Sequence, residues 1–568
     1  MTCRLVHLSI PESACRWQRW VAAVVLSCQA ASCTLISDFD VHDCNTNSEC
    51  ETLTGTVQHC ENSRCVEGCA DNHQCAEFDP RSPICPERGA QCVELTTETG
   101  ECYASAGYSD ATMGPETGKD LLLMGAFAPT IHSSEWLTLQ LAVDEINAAG
   151  GLPTARDTVQ PVVLVVCDDL LQHLPTALKH LVQRLGVRAL LASLEQDELQ
   201  AALDLPATRG QSLLVAPSGP ALSSDGQPAA LLWSLGASSR AAAPAYPALI
   251  QRLADAAVMR GARLEDLKIV SLSSAAAEDV ALEDAVASQI NLGGANALGL
   301  SREDRFRRIH LSDDSFADRA DALAKVIEYT PDIVLLFAGG TFAVPLGARR
   351  AAVVEQLEAA AETTPSWQPT YVLGPRSAKD PAVATLARDN PGFGARTIGI
   401  TLERRPDPSV VGALEARFEA AFPEAAAADK WAALPDVYDA FYYLAYALAA
   451  APRSMLAPRA EDVLEGLDRI TDETGARVDV GPGSTGRVRA SELLGEHLPF
   501  DLYGSSGPAS FDPDHGRKDV PQLYCLDAQG DVQRIAATFS ASYDLELSES
   551  PGVPATFACA GEALGATP

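Results

Sequence analysis

Residues 121–126 form a short apolar run, followed by a polar loop at 129–134. Leu139, Ala142, Val143 and Ile146 then repeat at i, i+3, i+4, i+7, which predicts an amphipathic helix. Gly150 and Gly151 stop it. A second apolar run, 162–167, closes on Asp168 and Asp169, so the stretch 119–169 predicts a β–α–β unit. An Asp pair at a strand end predicts a turn or helix cap.

The alternation continues. Helices are predicted at 176–185 and 197–205, with strands at 189–192 and 213–216. A second series predicts helices at 243–259, 279–290, 317–329 and 353–361, with strands at 267–272, 333–337 and 370–373. Residues 291–315, with Gly293, Gly294 and a charged SREDRFRR stretch, read as an insertion. Helices at 408–422 and 435–449 follow. This is the rhythm of parallel sheets with crossover helices. Residues 94–118, rich in Thr, Glu, Gly and Ser, read as a linker.

The words carry a resemblance as well. LAVDEINAAGG with a strand ending in CDD, the YDA of Tyr438, Asp439 and Ala440, and the later YGSSG and FD at 503–507 and 511–512 occur in the same order in a known family. The chain resembles type 1 periplasmic binding proteins of the leucine/isoleucine/valine-binding type, the substrate-binding components of ABC transporters. The resemblance covers about 119–548. It implies an α/β fold of two Rossmann-like lobes joined by a hinge. Lobe 1 would span about 119–238 and 402–505, lobe 2 about 239–401 and 506–548, with a tail at 549–568. It implies a non-enzymatic receptor without cofactor or metal. A small polar ligand, amino acid-like or an organic anion, would be captured between the lobes, with an ABC permease as partner.

Ligands in such sheets sit at the C-terminal ends of parallel strands, where loops and helix N-termini supply N–H groups. The candidate ligand residues are therefore His132, Ser133, Gln196, Ser218, Gly219, Ser274, Thr341 and Arg376. Three loops depart from the amino-acid-binding pattern. Glu195 and Asp197 stand where a Gly/Ser-rich loop holds the ligand carboxylate. Pro220 replaces a Thr donor. Arg376 follows Gly374 and Pro375 where a carboxylate binds the ligand ammonium. An unpaired buried charge costs several kcal/mol, so the standard pose of leucine is not expected here.

The rest of the composition adds an export history. Arg16 and Arg19, a short apolar core at 21–26 and small residues before Cys33 predict a lipoprotein signal over 1–32, with Cys33 acylated. An ordinary cleaved signal and a competing site at Cys28 are the alternatives. The predicted location is the cell envelope, as a periplasmic or outer-membrane lipoprotein, with the lipid as the only membrane contact. A net charge of −34 argues against nucleic acid or an anionic surface as partner. No apolar run reaches the roughly 20 residues of a membrane span.

Of 16 cysteines, eight form a repeat over 33–93. Cys44-x5-Cys50-x9-Cys60-x4-Cys65 is followed by Cys69-x5-Cys75-x9-Cys85-x6-Cys92. Each copy is too small to bury a core, so disulfides are expected; zinc, with His42, His59 and His73 nearby, is the alternative. Cys525 and Cys559 are a candidate pair. Cys102 and Cys167 are either another pair or two unpaired residues. Two motifs suggest enzymes and are discounted. Residues 481–486 match GxGxxG by letter, but Pro482 and the charged continuation do not suit a dinucleotide loop. Ser505 and Ser506 lie in GSSG, not GxSxG. The alternative to a transport receptor is a ligand-poor sensor or protein-interaction lipoprotein using the same fold.

Overall fold

A computed structural model describes residues 44, 47, 49–50, 57–61, 64–86, 88–108, 121–128, 133–154, 158–168, 170, 172–194, 196–205, 208–217, 231–274, 277–311, 316–337, 352–364, 367–375, 381–403, 407–427, 433–452, 458–481, 484–508, 510–512, 515–527, 532–535, 537–539 and 545–547. The chain divides into two compact units, Met1–Glu94 and Leu95–Pro568.

The first unit is the cysteine repeat, and its two copies are built alike. Cys44 bonds Cys60 and Cys50 bonds Cys65; Cys69 bonds Cys85 and Cys75 bonds Cys92. First joins third and second joins fourth in both. The third cysteine's N–H is also fixed equivalently: Cys60 donates to Asn47 Oδ1 (2.9 Å) and Cys85 to Asn72 Oδ1 (2.7 Å). With these eight sulfurs in disulfides, no thiolate remains in the repeat to bind zinc. Buried His59 instead places Nδ1 2.9 Å from the Gly68 carbonyl.

The second unit carries two large sheets besides several of two or three strands. The strands of the large sheets are β1 Cys102–Ala106, β2 Leu122–Phe127, β3 Val162–Cys167, β4 Ala189–Ala192, β5 Leu213–Ala216, β6 Leu232–Ser234, β7 Ile269–Ser274, β8 Phe306–Leu311, β9 Ile333–Phe337, β10 Thr370–Leu373, β11 Thr397–Glu403, β12 Val520–Leu526 and β13 Val532–Arg534. Five helices matter below: α1 Ser134–Ala148, α2 Gln196–Asp204, α3 Ala245–Met259, α4 Ala277–Gln289 and α5 Pro435–Ala450. The sheet orders are β6-β5-β4-β2-β3-β1 and β8-β7-β9-β10-β11-β12-β13. The pairs from β2 to β6 and from β7 to β11 are parallel, and β1, β12 and β13 add antiparallel pairs.

Each sheet thus has the same core order. Its first strand lies beside the second on one side, with the third, fourth and fifth on the other. The chain crosses between the sheets three times: after β6, after β11, and before β12. That topology is the two-lobed type 1 periplasmic-binding-protein fold.

The β strands are nearly all buried, as parallel strands covered on both faces require. In the first lobe α1 turns Leu139, Ala142, Val143 and Ile146 into the core, as its spacing predicts. Pro435 starts α5 at a position that needs no N–H, and every residue from Val437 to Ala450 is buried. A helix apolar all round is an interior helix. It is tied to α1 through Glu145, which accepts from Tyr438 Oη, from Tyr442 Oη (3.1 Å) and from Arg417 Nε (2.7 Å). Burial, and then the Glu145 charge, pushes the Tyr438 phenol well up, so it stays a donor.

Two readings of the sequence are corrected. Within the expected linker, Cys102–Ala106 is an edge strand on β3, and Cys102 bonds Cys167. Apart from Tyr103 its residues are small, and the disulfide and backbone pairing hold what apolar mass does not. Within the expected insertion, Phe306–Leu311 is the edge strand β8. Its charges hid it, because Arg308 serves Glu283: Arg308 Nη2 lies 2.9 Å from a carboxylate that is fully buried. Elsewhere the helix at 176–185 is real, but changes to a π-helical turn at Lys179–Arg184.

Candidate functional site

In an open parallel sheet, a crevice forms where successive connections leave in opposite directions. In the first lobe that point lies between β2 and β4, ending at Phe127 and Ala192. In the second it lies between β7 and β9, ending at Ser274 and Phe337. Both points are followed by helix N-termini: α1 after β2, α2 after β4 and α4 after β7.

The candidate residues can be placed against these points. Ser133 is the N-cap of α1, its Oγ accepting from the Trp136 N–H (3.2 Å). Gln196 is the first residue of α2. Ser274 ends β7 and is buried; its hydroxyl donates to Asp279 (2.6 Å) in the first turn of α4. Ser133 and Gln196 therefore belong to the first switch point and Ser274 to the second. His132, Ser218, Gly219, Thr341 and Arg376 lie outside the described residues, as do Cys33 and Cys559. Cys525 is disulfide-bonded.

Two carboxylates stand at the second switch point, Glu278 at the end of the candidate strand-end loop 273–278 and Asp279 at the start of the helix predicted at 279–290. Glu278 and Asp279 are each only 3% exposed in the first turn of α4. Glu278 accepts from the Ser239 N–H (3.0 Å), which brings this switch point beside the first crossover. Nearby, Tyr246 of α3 donates to the Leu373 carbonyl at the end of β10 (3.4 Å). The acidic first turn was legible as EDV at 278–280; its burial was not. Two carboxylates there make this helix end unfavourable for an anion.

At the crossovers, Asp439 of α5 is fully buried and collects four donors from the third crossover. These are Ser505 N (2.7 Å), Ser505 Oγ (2.8 Å), Ser506 N (2.7 Å) and Ser506 Oγ (2.5 Å). This explains why YDA and GSSG occur together: one supplies the acceptor, the other the donors. Gly504 is required at this approach, since a Cβ there would lie 2.2 Å from Asp439 Oδ2.

The GxGxxG match needs revision. It does lie between a strand, Ala476–Asp479, and a helix, Ser484–Gly495, and a parallel strand, Phe500–Gly504, follows. Gly481 and Gly486 nevertheless serve packing, and Gly483 lies outside the described residues. A Cβ on Gly481 would lie 3.1 Å from Arg417 Nη2 and from Tyr438 Oη, and one on Gly486 would lie 2.6 Å from the Asp479 carbonyl. Asp168 is a turn residue, accepting from Leu170 N (2.7 Å) and lying 3.2 Å from His173 Nδ1; Asp169 lies outside the described residues.

No family model and no curated protein matches the chain. Solved structures do. An ABC transporter substrate-binding protein from Desulfitobacterium hafniense in complex with Leu is 14% identical, over 73% of this chain and 100% of that one, at a TM-score of 0.41. A branched-chain amino acid transporter substrate binding protein from Streptococcus pneumoniae in complex with isoleucine is 15% identical, over 73% and 100%, at 0.37. A solute binding protein of an ABC transporter from R. palustris in complex with benzoate is 14% identical, over 76% and 99%, at 0.39.

Proposed function

We propose that this chain is an exported, lipid-anchored solute-binding receptor that captures a small polar molecule between its two lobes. The observation that carries this reading is the repeated sheet order with three crossovers. It gives each lobe a switch point lined by helix N-termini, and Ser239–Glu278 ties one of them to a crossover. Capture would use His132, Ser133, Gln196, Ser218, Gly219 from lobe 1 and Ser274, Thr341, Arg376 from lobe 2. Because Glu278 and Asp279 repel an anion at α4, the anionic end of an amino acid-like or organic-anion ligand belongs near Arg376. Cys33 carries the lipid, the cysteine repeat follows it, and an ABC permease receives the ligand.

The test is a thermal-shift screen of the full mature chain against amino acids, peptides, sugars, amides and organic anions. A ligand at 100 times its dissociation constant adds about 2.7 kcal/mol to the folded state. Silence across the panel would count against capture and for a sensor or interaction role. Free leucine or another anion bound at micromolar affinity, with the affinity unchanged in Arg376→Ala, would overturn the assignment of the anionic end. Intact mass of membrane-extracted protein reads the lipid: a mature chain without diacylglycerol removes the anchor.

A further inference from the structure

The crossovers hold more than a passive connection. The third crossover is fastened to lobe 1 by Asp439, and Arg517 extends that fastening. Arg517 is 1% exposed, and its Nη1 donates to Ser506 Oγ (2.6 Å). Its backbone N–H donates to the Gly236 carbonyl (3.3 Å) in the first crossover, and Ser234 N donates to the His515 carbonyl (2.9 Å). His515 also stacks on Trp233, with ring centroids 4.5 Å apart. Up to Arg517, then, the third crossover moves with lobe 1.

Lobe 2 begins almost at once. In the first crossover, Ser239 is already bonded to Glu278 of α4. In the third, Val520 is already paired with Glu403 of β11. Only Ala237 and Ser238 separate the two lobes' holdings on the first crossover; on the third, Lys518 still pairs with Glu473 of lobe 1 (2.6 Å) and its N–H donates to the Ser510 carbonyl (2.8 Å), so only Asp519 separates them. The second crossover, 404–406, lies outside the described residues.

Besides the backbone bond from Asp519 N–H to the Arg517 carbonyl (3.0 Å), one side-chain contact among the described residues spans the bend on the third crossover. Arg517 Nε donates to Asp519 Oδ1 (3.3 Å), and both side chains are buried, at 1% and 6% exposure. We infer that the Arg517–Asp519 pair is a latch across the pivot, setting the balance between the lobe arrangements. Arg517 is held by lobe 1 through Ser506, while Asp519 leads directly into β12. A rotation between Lys518 and Asp519 that carries Asp519 with β12 therefore lengthens or breaks this contact. A buried charge-assisted bond present in one arrangement and absent in another biases the populations by its own strength.

This inference rests on the receptor reading only in assuming that the lobes move. The test labels the full chain by noncanonical amino acids at Val159 and Met259, exposed in lobe 1 and lobe 2 at 55% and 64%. Pulsed EPR then gives the distance distribution without any ligand. Asp519→Asn, which keeps the shape and removes the charge, is expected to change the ratio of two separations roughly ten-fold. Lys518→Ala, which removes only an exposed pair with Glu473, is expected to leave it unchanged. Two separations in the wild type with the ratio unaltered in Asp519→Asn and Arg517→Lys would overturn the latch and spare the receptor. One fixed separation in all of these and in Ala237→Gly would overturn lobe motion, and the latch with it.

Discussion

Asp439 is the residue on which most else depends. It is fully buried and accepts from two backbone N–H groups and two hydroxyls. Asp439→Ala would strand those donors and leave Arg517 without the group that orders Ser506. The expected loss is about 3–5 kcal/mol, read by denaturant unfolding. Ser506→Ala should cost less, about 1–2 kcal/mol, because Ser505 and the Ser506 N–H still reach the carboxylate. Gly504→Ala puts a methyl against Asp439 Oδ2 and Tyr443 Oη, and should be destabilising by about 1–3 kcal/mol or more. Periodicity could not show this cluster. Asp439 and its donors lie 66 and 67 positions apart, and an Asp on an otherwise apolar helix looks like an interruption. Only the joint occurrence of YDA and GSSG hinted at it.

Whole elements were legible where their burial is simple. Strands 162–167, 189–192, 213–216, 333–337 and 370–373 have the predicted bounds, because continuous apolar runs leave no other reading. Among the strands that the sequence reading did not name, β1 and β8 are held by something other than apolar mass. β1 is held by backbone pairing and a disulfide, and β8 carries the arginine that neutralises Glu283. In the cysteine repeat the spacing showed the duplication, while the pairing needed coordinates. Removing one bridge with Cys75→Ser and Cys92→Ser should cost about 2–4 kcal/mol and make the repeat sensitive to protease. The helix Ala460–Ile470 offers a pH test. The Arg459 N–H and guanidinium hold the Asp462 carboxyl below its usual range. Its contribution is therefore present above about pH 4, the unfolded value, and is lost as pH falls through the lower folded value. Asp462→Asn should flatten that part of the acid limb of melting temperature against pH.

At the scale of the molecule, the alternation of elements was enough to predict parallel sheets with crossover helices, since βαβ units allow few sheet orders; their division into two lobes was implied by the family resemblance. The cleft was legible only as a set of strand ends. Which side chains bury there depends on tertiary contacts: Ser274, Glu278 and Asp279 stood in plain view, yet only their packing shows a carboxylate pair at a switch point. The Cys102–Cys167 bridge has a mechanical consequence. It joins the chain emerging from the cysteine repeat to β3, which lies between β1 and β2 in the sheet. Tension applied anywhere before Cys102 passes through sulfur into that sheet, without first peeling β1 away. Under reducing conditions the same load would meet only the backbone bonds of one edge strand. A pull on the preceding chain would then unzip β1 at far lower force.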